Sequence, residues 1–203
     1  MGYQISLLKD MVEKLGEQKT REILSQFSCP LDRDVEDFIH NNAIEFAKQS
    51  ISSTHIITTS YKGAPVIVGY YTLANKNIIV SSNNISNTLK RRISKFGIYD
   101  SDQKGYRIAA PLIAQLGKNF TNGYDKLITG DELLLLACQQ VAQVQEIIGG
   151  KIVYLECEDN PKLIDFYSSN GFVNFGKRQL DQDEKEFFEK DYLIQMLRYL
   201  KGF

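Results

Sequence analysis

The residues of this chain whose types and spacing could do chemistry fall mostly in its second half. The run Asp125-Lys126-Leu127-Ile128-Thr129-Gly130 leads into an apolar helix, and Thr129 stands three residues before Glu132, the spacing of a capping box. A helix that begins there turns backbone N–H groups and the positive end of its dipole toward an anion, as a pyrophosphate site requires. Asp131 and Glu132 oppose such a ligand unless their side chains point away. Further on stand Asn160, Phe166-Tyr167 and Gly171-Phe172. A phenol such as Tyr167 can donate a proton to a leaving group or pack with its hydroxyl satisfied. Asn160, directly before Pro161, suits a helix N-cap. Glu156 ends an apolar run; partial burial would raise its pKa toward that of a base, whereas exposure would leave a plain surface carboxylate. His40 and His55 are candidates by residue type alone, since neither has a partner at catalytic spacing. No metal-ligand cluster and no Ser/His/Asp or Cys/His arrangement is recognisable.

These residues need a scaffold, and the composition supplies an ordinary one. The chain has 203 residues, 43% hydrophobic and 24% charged, which suits one globular domain with its own core. The formal net charge of −1 gives no general argument for nucleic acid or a membrane surface. Cys29, Cys138 and Cys157 have neither metal nor redox spacing and read as small packed side chains. The first residues lack a signal-peptide pattern and no apolar run is long enough to span a bilayer, so the expectation is a cytoplasmic setting.

Periodicity places a helix over about 3–26 as an N-terminal helical extension, with the main domain over 27–203. Pro30 marks the break, and a second helix follows with Val35, Phe38, Ile39, Ala43, Phe46 and Ala47 as its buried stripe, capped by Asp32 or Asp34. Strands are expected at 55–60, 65–73 and 77–81, with turns at Lys62-Gly63 and Asn75-Lys76, as an antiparallel meander. A short helix over 86–96 carries Lys90, Arg91, Arg92 and Lys95, read as a solvated face or the seed of a phosphate or nucleic-acid site. A polar loop is expected at 97–105, then a strand at 107–116, a loop, and a long helix from Gly130 to Ile148 stopped by Gly149-Gly150. A strand at 151–156, a helix at 161–169 and strands at 172–177 and 192–200 complete the α/β pattern, the last also compatible with a helix.

Three segments together resemble the GNAT superfamily of N-acetyltransferases, in a branch that includes toxin-like members. Pro111 to Lys118, a polar loop, then Thr129-Gly130 and Leu133-Leu134 are similar to the family's acetyl-CoA motif. Asn160, Phe166-Tyr167 and Gly171-Phe172 resemble its Asn-x-x-Ala-x-x-(Phe)-Tyr-x-x-x-Gly-Phe segment. Phe27-Ser28-Cys29, the acidic helix with Val35 and Phe38, and the Val68-Gly69-Tyr70-Tyr71 strand resemble the opening of that branch. The sequence departs from the pattern by placing Ile128 at the first glycine, Asp125 at the usual Arg or Gln, and Leu163 at the usual small residue. Because isoleucine resists positive φ, the loop must reach the phosphates by another path, with Lys118 or Lys126 supplying charge, or else bind coenzyme weakly.

The resemblance implies a mixed central sheet flanked by helices, acetyl-CoA as cosubstrate without a metal, and direct attack of an amine on the thioester. It implies Tyr167 as general acid, with Glu156 as the candidate base where the amine would enter. Leu116, Gly117 and Lys118 would pair with pantetheine like an added strand. Lys126, Ile128, Thr129 and Gly130 would face the pyrophosphate, and Asn160 and Phe166 the pantetheine arm. The acceptor amine is open, with nucleic acid entering only as a charged tRNA substrate. The first helix could cover the acceptor pocket, form a homodimer contact or pad the core. The competing reading is an acyltransferase-like binding module without catalysis.

Overall fold

The computed structural model describes residues 2–182, 184, 185 and 187–200. The chain forms strand β1 (Gln4–Leu7), helices α1 (Leu8–Leu15), α2 (Glu17–Leu24), α3 (Arg33–Asp37) and α4 (Ala43–Lys48), and strands β2 (Ser53–Tyr61) and β3 (Ala64–Ser81). Helix α5 (Asn87–Ile93), strands β4 (Ile98–Asp100) and β5 (Gly105–Lys118), helix α6 (Gly130–Ile148), strand β6 (Ile152–Cys157), helix α7 (Pro161–Ser169), and strands β7 (Val173–Gln179) and β8 (Tyr192–Tyr199) follow. Seven strands are ordered β1-β2-β3-β5-β6-β8-β7 by hydrogen bonding, and β4 pairs with β5. The sheet is mixed: β1–β2 and β2–β3 are antiparallel, whereas β5 and β6 run parallel, pairing at Leu112 with Tyr154 and Ile113 with Leu155. Among the described residues no helix is long and apolar enough to cross a membrane.

The chain divides into two compact units, one of Met1–Ala74 with Ala114–Ala137 and one of Asn75–Ile113 with Cys138–Phe203. The first is built around Leu8, Leu24, Phe27, Val35, Ile39, Ala43, Ile44, Ile56 and Tyr70. The second packs Ile78, Val80, Ile93, Ile108, Ile152, Tyr154, Phe175 and Leu197. Apolar burial of this extent, at roughly 25 cal/mol per Å², is the main favourable term for each unit.

Several expectations need correcting. Residues 3–26 are not one helix: Gln4–Leu7 pair with His55–Thr58 of β2, and Gly16, at φ +83°, separates α1 from α2. A side chain at that φ is strained, so glycine sets the break. Residues 64–81 form one strand rather than two, because Ala74, Asn75 and Lys76 stay extended. The loop expected at 97–105 contains β4, whose Ile98, Tyr99 and Asp100 pair with Arg107, Tyr106 and Gly105. Between α3 and α4 the helix widens into a π turn, Phe38–Asn42. The span of α6, the Asp32 cap on α3 and the span of α7 match the sequence reading.

Candidate active site

In the first unit the relevant residues follow the end of β5. Gly117 is buried, and a Cβ on it would collide with Val35 Cγ1. A Cβ on Gly69 would lie 2.8 Å from the Gly117 carbonyl oxygen, so these two glycines let the backbones approach closely. Asn119, which the sequence reading overlooked, is 1% exposed and fully engaged. Its Oδ1 accepts from the N–H groups of Ser28 and Thr121 at 3.0 Å each, and its Nδ2 donates to the Ile67 carbonyl at 2.9 Å. Leu116 is half-buried beside this knot.

The loop that follows takes a path of its own. Its positive φ values fall at Asn122 (54°) and Gly123 (74°) inside a 3-10 turn spanning Thr121–Leu127. Ile128, at φ −144° and ψ 139°, is extended and 2% exposed, so its side chain anchors the loop in the core. Lys118 Nζ donates to the Asp125 carbonyl at 3.1 Å and thereby braces the loop, while Lys126 is exposed. Tyr3, which no motif singles out, donates its hydroxyl proton to the Leu127 carbonyl at 3.1 Å.

At the start of α6 the capping box is fully formed. The Glu132 N–H donates to Thr129 Oγ1 at 3.1 Å, and Glu132 Oε2 accepts from the Thr129 N–H and Oγ1, each at 2.8 Å. These Thr129 bonds, backbone first, hold the Glu132 carboxyl below its ordinary pKa. The box uses two of the backbone donors at this end. The Gly130 N–H has no hydrogen-bond partner among the described residues.

In the second unit the Tyr167 segment has a geometric explanation. Asn160 caps α7, its Oδ1 accepting from the Lys162 N–H at 3.0 Å, and Pro161 fills the first helical position. Gly171, at φ +80°, closes the helix: its N–H donates to the Ser168 carbonyl, and the Phe172 N–H donates to the Tyr167 carbonyl, each at 3.0 Å. That turn folds the buried Phe172 ring back to an edge contact with Tyr167, centroids 6.0 Å apart, and Phe166 meets Tyr167 at 5.0 Å. Tyr167 is therefore half-buried with its ring held from two sides.

Glu156 is engaged at both carboxylate oxygens, Oε2 by Arg178 Nε at 2.6 Å and Oε1 by Gln195 Nε2 at 2.8 Å. Arg178 also grips Glu184 with two hydrogen bonds of 2.8 Å, and Glu184 foremost, then Glu156, raises the guanidinium pKa. Sequence reading missed this arginine, whose partners come from elements it could not bring together. Both oxygens of the Glu156 carboxylate are thus committed to neighbouring side chains, the Arg178 bond being charge-assisted. Nearby, Asp159 accepts from Tyr192 Oη at 2.6 Å and Lys190 Nζ at 2.9 Å, and the lysine first, then the tyrosine, lowers its pKa.

The remaining candidates have packing roles. His40 lies in the π turn with Nε2 3.0 Å from the Phe27 carbonyl. His55 stacks on Tyr71 with centroids 4.8 Å apart, its Nε2 is 3.1 Å from Ser53 Oγ, and burial pushes its pKa down to about 4. All three cysteines are buried free thiols, and burial raises the pKa of each.

No family model matches this chain, and no curated protein matches it in sequence. Solved structures do. AtaT complexed with acetyl-methionyl-tRNAfMet superposes with a TM-score of 0.61 at 16% identity, covering 95% of this chain and 94% of AtaT. A tyrosine-to-phenylalanine variant of KacT gives 0.61 at 14% identity, covering 96% and 94%. AtaTR bound with AcCoA gives 0.56 at 16% identity, covering 95% and 91%. The chain has the mixed α/β fold of these structures.

Proposed function

We propose that this protein is an acetyl-CoA-dependent N-acetyltransferase. The supporting observation is the fold likeness to AtaT and AtaTR, whose structures hold an acetylated methionyl-tRNA and AcCoA, over 95% of the chain. In the proposed reaction the amine nitrogen attacks the thioester carbonyl, a C–N bond forms, the C–S bond breaks, and coenzyme A departs as a thiol. Tyr167 delivers the proton to the leaving sulfur. The backbone of Leu116, Gly117 and Lys118 pairs with pantetheine, and one of its amides polarises the carbonyl. The Thr129–Gly130 helix start, aided by Lys126, takes the pyrophosphate, while Ile128 sets the loop's path and Asn160 and Phe166 meet the pantetheine arm. Glu156 receives the amine proton only when its Arg178 pair opens.

A thiol-release assay across a panel of amines tests this reading. Tyr167→Phe is expected to lower kcat at least ~100-fold, the lower range of general acid catalysis, with folding intact by circular dichroism. Unchanged turnover in that variant would remove Tyr167 from the mechanism. Coenzyme A that failed to raise the Tm at saturation would favour the non-catalytic module.

A second reading narrows the acceptor to the amine of a charged tRNA, as in the AtaT complex. Lys90, Arg91, Arg92 and Lys95 favour it. Among the described residues none of them has an ion-pair partner, although Arg92 stacks over Tyr199 at 5.0 Å. By the same likeness, the AtaT complex with the C-terminus of the antitoxin AtaR supports an antitoxin-type partner.

A further inference from the structure

We propose that α5 and the β4 hairpin, residues 98–107, form a binding surface for unpaired RNA nucleotides, in which cations hold the phosphates and Phe96 and Tyr99 take the bases. The inference rests on the charged-tRNA reading only for the identity of the natural RNA, and all its residues lie in the second unit.

An exposed aromatic residue is ordinary when it stands alone. Here the aromatics accompany a local excess of positive charge. Residues 82–107 hold six basic side chains against two acids, Asp100 and Asp102. Asp100 is engaged within the hairpin: its Oδ2 accepts from Arg107 Nη2 at 2.7 Å, and its Oδ1 accepts from the Asp102 and Gln103 N–H groups at 3.1 and 3.0 Å. Lys90, Arg91, Arg92, Lys95 and Lys104 have no ion-pair partner among the described residues. The aromatic rings are interleaved with this charge. Arg92 lies over the Tyr199 ring at 5.0 Å, and Phe96 meets the same ring with centroids 6.3 Å apart. Gly97 packs so closely on β5 that a Cβ there would lie 3.2 Å from Tyr106 Cβ, and Tyr106 in turn braces Tyr99 at 5.3 Å. Phe96 nevertheless stays 40% exposed and Tyr99 51%. Rings fixed by neighbours yet open to solvent can stack on a base with little further ordering. Aromatic faces beside cations suit an unpaired strand, whereas a duplex hides its base faces from them.

The test measures binding of the full chain to a short single-stranded RNA oligonucleotide, to the same sequence as a duplex, and to polyglutamate, a polyanion without bases. The single strand should bind most tightly. Tyr99→Ala is expected to weaken it about five- to a hundredfold, the range for one stacked base, and to keep the salt dependence, since no phosphate contact is lost. Tyr99→Phe keeps the ring and should bind like the wild type, with Tm confirming that both variants fold. The chain has no tryptophan, so Tyr99→Trp adds one reporter, whose emission the oligonucleotide should quench. The inference is overturned if duplex or polyglutamate binds as tightly as the single strand, or if Tyr99→Ala changes nothing. It is equally overturned if the Trp emission shifts with protein concentration alone, which would place a second copy on the ring. Thiol release with a small amine by a chain that binds no oligonucleotide would overturn it and keep the acetyl-CoA reading. Selective single-strand binding without thiol release from any amine would do the reverse.

Discussion

Burial disfavours the charged imidazolium of His55, which sits against Tyr71 with only Ser53 Oγ at its Nε2, and the resulting pKa near 4 lies below the value of about 6.5 for an unfolded histidine. The sign of the pH effect follows. Between these two values the unfolded chain binds more protons than the folded one, so stability rises with pH there and is lost as pH falls from about 6.5 toward 4. Above that window the histidine is neutral in both states and contributes no slope. The loss amounts to no more than about 3 kcal/mol. Urea unfolding at pH 7 and pH 4.5 should show the wild-type chain losing more stability than His55→Gln. Equal losses in the two proteins would mean that other groups carry the acid sensitivity.

At the scale of elements, the turn after α7 is the clearest case of local chemistry placing the side chain proposed as the acid, Tyr167. Gly171→Ala puts a Cβ on a residue at φ +80°, where an L side chain costs roughly 1–2 kcal/mol. Its Cβ has room, since the nearest atom is Arg198 Nε at 3.6 Å, so the penalty is conformational and the protein should still fold. If Phe172 and Tyr167 depend on that turn, activity should fall further than the small loss in Tm implies. The same turn explains what was legible in the sequence. Gly171, Asn160 with Pro161, and Thr129 with Glu132 are local devices whose partners lie within a few residues, so helices α6 and α7 could be bounded from the sequence. The split of residues 3–26 was not legible, because Gln4–Leu7 become a strand only through pairing with residues about fifty positions away. Asn119, Tyr3 and Arg178 escaped for the same reason: each is defined by bonds between distant segments. Ile128 was legible in half. Its resistance to positive φ was foreseeable, and its burial was not.

For the molecule as a whole, net charge is a poor guide to what its surface attracts. The chain carries −1 overall, and part of its basic charge is paired: Arg21 and Lys48 with Glu17 and Glu45, Arg107 with Asp100, Arg178 with Glu156 and Glu184, Lys190 with Asp159. Other basic side chains without an ion pair among the described residues are scattered along the sequence, whereas Lys90, Arg91, Arg92 and Lys95 stand close together on and just after α5. A polyanion feels such a patch within a Debye length, about 8 Å at physiological salt, so distant acidic residues do little to cancel it. If the acceptor is a charged tRNA, log affinity should fall with log salt, each neutralised phosphate contributing a slope of roughly −0.7 to −0.9. Replacing Lys90 and Arg91 by glutamine should flatten that slope by about 1.5 while leaving acetylation of a small amine unchanged. Filter binding from 50 to 200 mM salt measures the slope, and the thiol assay measures the small-amine rate. A slope that survives the double substitution would place the RNA on another surface, and no measurable RNA binding at low salt would return the acceptor to small-molecule or protein amines.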